Sequence, residues 1–125
     1  MNQKVKATKS ERAAVVAEAV LETAHLLGMK DKTLAEVLGL SPGMVSNLRH
    51  GKAELEEGKH PFEMAVALIR IYRSLAGIVG LQEKHLRGWF NAHNADLGAV
   101  PAELVRKPQG LFTTLTYLDS HRAII

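Results

Sequence analysis

The chain has 125 residues, with 16 lysines and arginines against 13 acidic residues, and no cysteine. The lack of cysteine excludes a disulfide framework, a thiolate zinc site and a cysteine nucleophile, and the net charge of +3 permits nucleic-acid binding without requiring it. Since no run of about 18 apolar residues occurs and the N-terminus lacks the apolar core of a signal peptide, we expect a cytoplasmic protein with no membrane partner.

The first two predicted helices follow a basic tail over residues 1–9. Apolar residues at spacings of three and four indicate a helix that has Ser10 as its N-cap and stops at Gly28. A second, shorter helix is predicted over residues 32–38 and ends at Gly39. The chain therefore begins with two consecutive helices.

A short helix and then a long one are predicted next. Ser41 is a suitable N-cap for the short helix, which is expected to end at Gly51. Residues 52–60 are polar and are predicted to form a loop, after which Pro61 opens the long helix. The apolar face of the long helix is formed by Phe62, Ala65, Leu68, Ile69, Tyr72 and Leu75.

The second half of the chain also has helical periodicity. Gly77 and Gly80 are expected to break the long helix, and Pro108 separates the last two helical segments. The helices of this half are predicted over residues 82–92, 102–105 and 110–121. The first of them should bury Leu86, Trp89, Phe90 and either His85 or His93. Because no clear period-two alternation occurs, we predict an all-α fold.

The joint between the second and third helices has the pattern of a helix-turn-helix. Ala35 places a small residue where the helices cross, and Gly39 suits the left-handed turn. Val45 and Leu48 supply apolar anchors between the helices. The segment LAEVLGLSPGMVSNLRHGK resembles the Xre family of helix-turn-helix regulators, and the resemblance covers residues 10–75. The positions in register are Ala35, Gly39, Ser41, Pro42, Val45, Leu48, Gly51 and Lys52.

The third helix is the predicted recognition helix. Its outward side carries Gly43, Met44, Ser46 and Asn47. Asn47 is the best candidate for a base contact, because its amide can pair bidentately with adenine. Pro42 and Gly43 stand where many repressors place long polar side chains, so specificity is expected to depend partly on dimer spacing or DNA shape.

The phosphate contacts are predicted around this helix. Arg49 and Lys52 are placed to meet phosphates at its far end, while Ser41 and the free amides of its N-terminus suit another phosphate. Lys30 and Lys32 precede the second helix and could hold the other strand. The alternative is three ordinary helices whose glycines are routine caps and whose lysines face solvent.

Spacing alone indicates that Trp89 and Phe90 are core anchors tying the last helices to the long one. The second half also looks like the toxin-binding domain of the MbcA/ParS/Xre antitoxins. The matching residues are Trp89, Phe90, Asn91, Asn94, Leu97, Gly98, Pro101, Leu104, Gly110, Leu115, Tyr117, Leu118 and Asp119.

This second resemblance implies an antitoxin that neutralises a RES-domain toxin, an enzyme that degrades NAD, and represses the shared operon. It implies a DNA-binding region over residues 10–80, a toxin-binding region over residues 81–125, and a homodimer. The family's usual Leu-Gly-Gly-Arg-x-Pro turn is one residue shorter here and has no arginine, although Gly98 and Pro101 are kept as anchors. The toxin contacts implied at the C-terminal end are Tyr117, Asp119, His121, Arg122, Ile124 and Ile125.

Metal binding and catalysis are not indicated. The six histidines include no pair at the i, i+4 spacing that would place two ligands on one helical face. Glu54, Glu56 and Glu57 are typical of a solvated loop, and no phosphate loop or nucleophile motif occurs. We therefore expect no cofactor and no enzyme activity. Besides an antitoxin that represses its own operon, a stand-alone regulator and an interaction module without DNA binding remain open.

Overall fold

The computed structural model describes residues 8–124, with side chains described up to His121. Residues 1–7 of the predicted basic tail, the side chains of Arg122 and Ile124, and the whole of Ile125 lie outside the described residues. The described part forms seven α-helices: α1 Lys9–Leu26, α2 Asp31–Leu38, α3 Pro42–Arg49, α4 His60–Val79, α5 Glu83–Asn91, α6 Pro101–Leu104 and α7 Pro108–Ile124. The predicted all-α fold, with an N-terminal helix-turn-helix and further helices, is confirmed.

The start of α1 differs from the prediction. Thr8, and not Ser10, is the N-cap, because the Thr8 hydroxyl accepts a hydrogen bond of 3.1 Å from the backbone N–H of Glu11. The Ser10 hydroxyl instead donates to the Glu54 carboxylate in the loop before α4, at 3.0 Å. This long-range bond has no local sequence signal.

Helix α4 is the central element of the fold and packs against α1, α2, α5 and α7. Because neighbours cover it on several sides, it buries more than the predicted face, and Met64, Ala67 and Ile71 are also in the core. Gly77 does not break it, and it ends at Gly80, whose φ is +90°. Among the described residues no single helix is long and apolar enough to cross a bilayer, and α4 and α5 meet that criterion only as a pair bent by 113°.

Helix α5 buries Leu86 and Phe90, which lie one helical turn apart. Trp89 was predicted to be a buried anchor, and it packs against the core but is only half-buried at its edge. His85 and His93 are both exposed, so the expectation that one of them is buried was wrong. Adjacent helical positions differ by about 100° in direction, so Phe90 and Trp89 cannot both point straight into the core.

The two halves of the chain share one hydrophobic core. Buried residues from α2 and α4 belong to the same cluster as Phe90, Leu111 and Leu118 of the second half. The Arg87 guanidinium on α5 also donates to the carbonyl oxygen of His25 at 2.7 Å, and the Asn91 amide donates to that of Leu27 at 3.2 Å. The His25 carbonyl also accepts the Gly28 N–H at 3.0 Å, and the bonds from Arg87 and Asn91 attach α5 to the C-terminal end of α1.

Candidate nucleic-acid interface and C-terminal partner surface

The turn between α2 and α3 has the geometry that its sequence predicts. Gly39 caps α2 in the left-handed conformation with φ +71°, and the next residue, Leu40, donates its N–H to the Ala35 carbonyl at 2.9 Å. Ser41 is the N-cap of α3, as predicted, because its hydroxyl accepts the Met44 N–H at 3.2 Å. Ala35, Val45 and Leu48 are buried between the helices. The burial of Val45 and Leu48 determines which residues of α3 face outward.

The outward side of α3 is exposed and uncharged. It carries Gly43, Met44, Ser46 and Asn47. Within residues 8–124 the Asn47 amide has only a long contact of 3.8 Å with the Met44 sulfur, so most of its hydrogen-bonding capacity faces outward. A Cβ on Gly43 would meet only the Ser41 hydroxyl, at an ordinary 3.8 Å, so the protein's own packing does not require glycine there.

The cations predicted to contact phosphates surround α3, and they differ in whether they are already in an ion pair within the protein. Lys30, Lys32 and Lys52 are exposed, and no ion pair is described for them in residues 8–124. Arg49 was predicted to be available, but its guanidinium donates to the Asp31 carboxylate at 2.6 Å. Asp31 could not be identified from the sequence, because it lies 18 residues from Arg49 and meets it only through the crossing of α2 and α3.

Comparison with protein-family models decides the type of this turn. Residues 7–57 match the antitoxin Xre-like helix-turn-helix domain. The match covers α1, α2, α3 and most of the loop that follows, so the N-terminal part of the chain is a DNA-binding helix-turn-helix of the Xre-like antitoxin type. No curated protein sequence matches the chain.

The turn between α5 and α6 lies outside the Xre-like domain. It lacks the arginine found at this turn in many MbcA/ParS/Xre antitoxins, and local hydrogen bonds close it. Asn94 and Ala99 form an isolated antiparallel bridge, with the Asn94 N–H donating to the Ala99 carbonyl at 2.9 Å. The Asn94 side chain accepts the Leu97 N–H at 3.0 Å, and Gly98 takes φ +71°. Pro101 then begins α6 and is buried. Gly98 supplies the left-handed backbone of the turn, and Pro101 fixes the start of the next helix.

Close packing joins α6 to α7. A Cβ on Gly110 would overlap the backbone carbonyl of Leu104, so only glycine allows this approach. The Thr114 hydroxyl also donates to the Gly110 carbonyl at 2.8 Å. Gly110, one of the residues that carry the family resemblance, is therefore required by the packing of α6 against α7.

Tyr117 lies in an aromatic stack at the side of α7. Its ring centroid is 6.4 Å from that of Trp89 and 4.1 Å from that of the exposed His121. Its hydroxyl donates to the Asp96 carboxylate at 2.8 Å. This hydrogen bond, followed by burial, raises the pKa of Tyr117 above its usual range. The stack brings together two of the residues predicted to touch a toxin.

Asp119 serves the fold directly. One carboxylate oxygen accepts the hydroxyl of the buried Ser74 at 2.7 Å, and the other accepts the Arg70 guanidinium at 3.1 Å. Both partners lie on α4. Asp119 was predicted as a toxin contact, but its two oxygens hold α7 against α4.

The outer face of α7 is exposed and carries no charge. It consists of Gln109, Phe112, Thr113, Thr116 and Ser120. Phe112 is 44% exposed, which is unusual for so large an apolar side chain. Grooves of about 430 and 410 Å³ flank it, and both are lined by Gln109 and Thr113. The signal for this face in the sequence is the run of uncharged residues from Pro108 to Leu118.

Proposed function

We propose that the protein is an antitoxin that represses its own operon by binding operator DNA as a homodimer, and that neutralises a RES-domain toxin that degrades NAD. The observation that carries the proposal is the match of residues 7–57 to an antitoxin helix-turn-helix domain. The RES-type toxin is supported by the resemblance of residues 89–119 to the toxin-binding domain of MbcA/ParS/Xre antitoxins.

In the proposed DNA complex, α3 enters the major groove. Asn47 contacts a base, and Gly43, Met44 and Ser46 face the groove around it, which is supported by their exposure and by the lack of charge on this side of α3. Ser41, with the α3 N-terminus, lies at one phosphate. Lys30, Lys32, Arg49 and Lys52 act on further phosphates, which contribute affinity without sequence preference.

The toxin is proposed to contact the end of α7 beside the aromatic stack. Trp89 and Tyr117 are partly exposed there, and exposed aromatic side chains are common anchors at protein interfaces. His121 lies on the Tyr117 ring and is exposed. Arg122, Ile124 and Ile125 follow directly in sequence and complete the proposed contact. Asp119 positions α7 for this contact and is engaged with α4.

The homodimer is proposed to form through the uncharged face of α7. Interface centres are depleted in charge and enriched in aromatic residues, as this face is around Phe112. Glu103 and Lys107 line one of the flanking grooves and have opposite charges. In a two-fold symmetric dimer the same face of both copies meets, so an uncharged face avoids like-charge repulsion across the axis.

The decisive experiment separates the two activities by removing residues 121–125. Truncation at this point deletes His121 and the tail but keeps Asp119, so α7 stays attached to α4. We expect the truncated protein to bind promoter DNA and to fail to rescue cells that express the toxin encoded beside it. Growth and cellular NAD are the measurements, and circular dichroism checks the fold.

Two outcomes would contradict the proposal. Equal rescue by full-length and truncated protein would show that the tail is not the inhibitory element. If the full-length protein binds its promoter but no neighbouring toxin, the protein is a stand-alone helix-turn-helix regulator.

A further inference from the structure

We propose that Asp31 limits the DNA affinity of this protein by occupying the Arg49 guanidinium, so that a DNA phosphate has to displace the Asp31 carboxylate. The inference rests on the proposed DNA-binding function and adds a residue that tunes it. Asp31 contacts no DNA itself in this scheme. It is a positioning residue that acts through Arg49.

The geometry of the pair supports this role. Arg49 ends α3 and Asp31 begins α2, and their side chains meet at 2.6 Å. The side chains are 45% and 50% exposed, so the pair is accessible from solvent and can be opened without disturbing the core. Since exposed ion pairs contribute little to folding stability, the pair is poorly explained as a support of the fold.

The charged residues around the pair also support a competition between Asp31 and a DNA phosphate for Arg49. Lys30 and Lys32 flank Asp31 in sequence and are exposed, so two further cations lie next to the carboxylate that Arg49 binds. A DNA phosphate would accept from Arg49 in place of Asp31, because both are anionic oxygen acceptors that suit a guanidinium. The competition reduces the number of cations that are free to meet the DNA backbone.

The competition should affect all DNA sequences alike. Phosphate contacts carry no direct sequence information, so the carboxylate lowers affinity for the operator and for unrelated DNA by the same factor. Each additional phosphate neutralised makes the dependence of affinity on salt steeper by about one unit in a double-logarithmic plot. Asp31 is therefore expected to reduce the protein's retention on non-operator DNA.

The test compares Asp31→Asn, Arg49→Ala and the double variant by fluorescence anisotropy. The probes are a duplex from the region upstream of the gene and an unrelated duplex of equal length, each across a series of KCl concentrations. Glu22→Gln on α1 is the control, because it removes one exposed negative charge and no ion pair of Glu22 is described in residues 8–124. Asp31→Ser provides a second variant that keeps a residue favoured near a helix start.

We expect Asp31→Asn and Asp31→Ser to raise affinity for both duplexes about three- to tenfold and to steepen the salt dependence by about one unit for each protomer bound. In the Arg49→Ala background the same change should have little effect, and Glu22→Gln should leave affinity nearly unchanged. Circular dichroism verifies that each variant folds.

Three outcomes would overturn the inference. Weaker DNA binding by Asp31→Asn would mean that Asp31 holds Arg49 in its binding position. An equal gain with and without Arg49, or from Glu22→Gln, would mean that net charge alone is responsible. Failure of every form, including the unmodified protein, to bind either duplex would overturn the DNA-binding function itself.

Discussion

Ser74 on α4 donates a hydrogen bond of 2.7 Å to Asp119 on α7, and Ser74 is almost completely buried. The bond crosses 45 residues of sequence and joins the central helix to the last one. Loss of the acceptor leaves a buried hydroxyl without its partner, which is costly for folding. Asp119, which the family resemblance suggests as a toxin contact, therefore stabilises the packing of α7 against α4.

Asp119→Ala is expected to lower the free energy of unfolding by about 1–3 kcal/mol, because the Ser74 hydroxyl loses its acceptor. Urea denaturation measures the change. Glu22→Ala is the matched control, since Glu22 is an exposed carboxylate on α1 with no ion pair described in residues 8–124, and its loss should change stability little. If Asp119→Ala is as stable as the control but no longer neutralises the toxin, Asp119 is a direct contact.

Phe90→Ala should be much more destabilising than Trp89→Ala. Phe90 is 1% exposed, and truncating a buried phenylalanine costs about 3–5 kcal/mol when the site does not collapse. Trp89 is half-buried, so its replacement leaves a smaller cavity. Urea denaturation of the two variants compares them directly. Equal losses of stability would show that Trp89 is buried more deeply than described.

Gly43→Ala should stabilise the fold by about 0.5–1 kcal/mol, since alanine favours a helix and the added Cβ has room. If DNA approaches this position closely, the same variant should bind the operator more weakly. Gly88→Ala on α5 is the control, because its Cβ also has room and it lies outside the Xre-like domain. Thermal unfolding and operator titration are measured together. Unchanged operator binding by Gly43→Ala would place α3 farther from the DNA.

Asn47 is expected to contribute to the discrimination between DNA sequences, and Lys52 to the affinity for DNA of any sequence. Asn47→Ala should lose about 1–3 kcal/mol of discrimination at one base pair, because the amide reads a base edge. Lys52→Ala should weaken binding to every sequence alike and make the salt dependence shallower. Titration against operator fragments with single base changes distinguishes the two. Identical profiles for both variants would contradict these roles.

Phe112→Asp should dissociate the proposed homodimer, because it places a charge at the centre of the uncharged face of α7. Analytical ultracentrifugation measures the mass of the variant and of the unmodified protein. Leu81→Asp is the control, since Leu81 is also an exposed large apolar residue but lies between α4 and α5. A dimer that persists with Asp at position 112 would move the interface elsewhere.

Local signals allowed the turn between α2 and α3 to be predicted closely. Gly39 and Ser41 each act within a few residues, so their effects can be predicted before the fold is known. The pairs Asp31–Arg49 and Ser74–Asp119 could not be predicted, because each depends on how distant helices cross. The choice between Trp89 and Phe90 as the buried residue likewise depends on the rotation of α5 against its neighbours.

The bonds from Arg87 and Asn91 to the end of α1 also bear on the turnover of this protein in the cell. A protease that cleaves between α4 and α5 would leave α5 held to α1 by non-covalent contacts alone, and loss of α5 would expose the apolar surface that Phe90 covers. Because the two halves of the chain share one hydrophobic core, degradation that begins in the second half should also inactivate the first. Repression and any partner binding would then decay together, with one common lifetime.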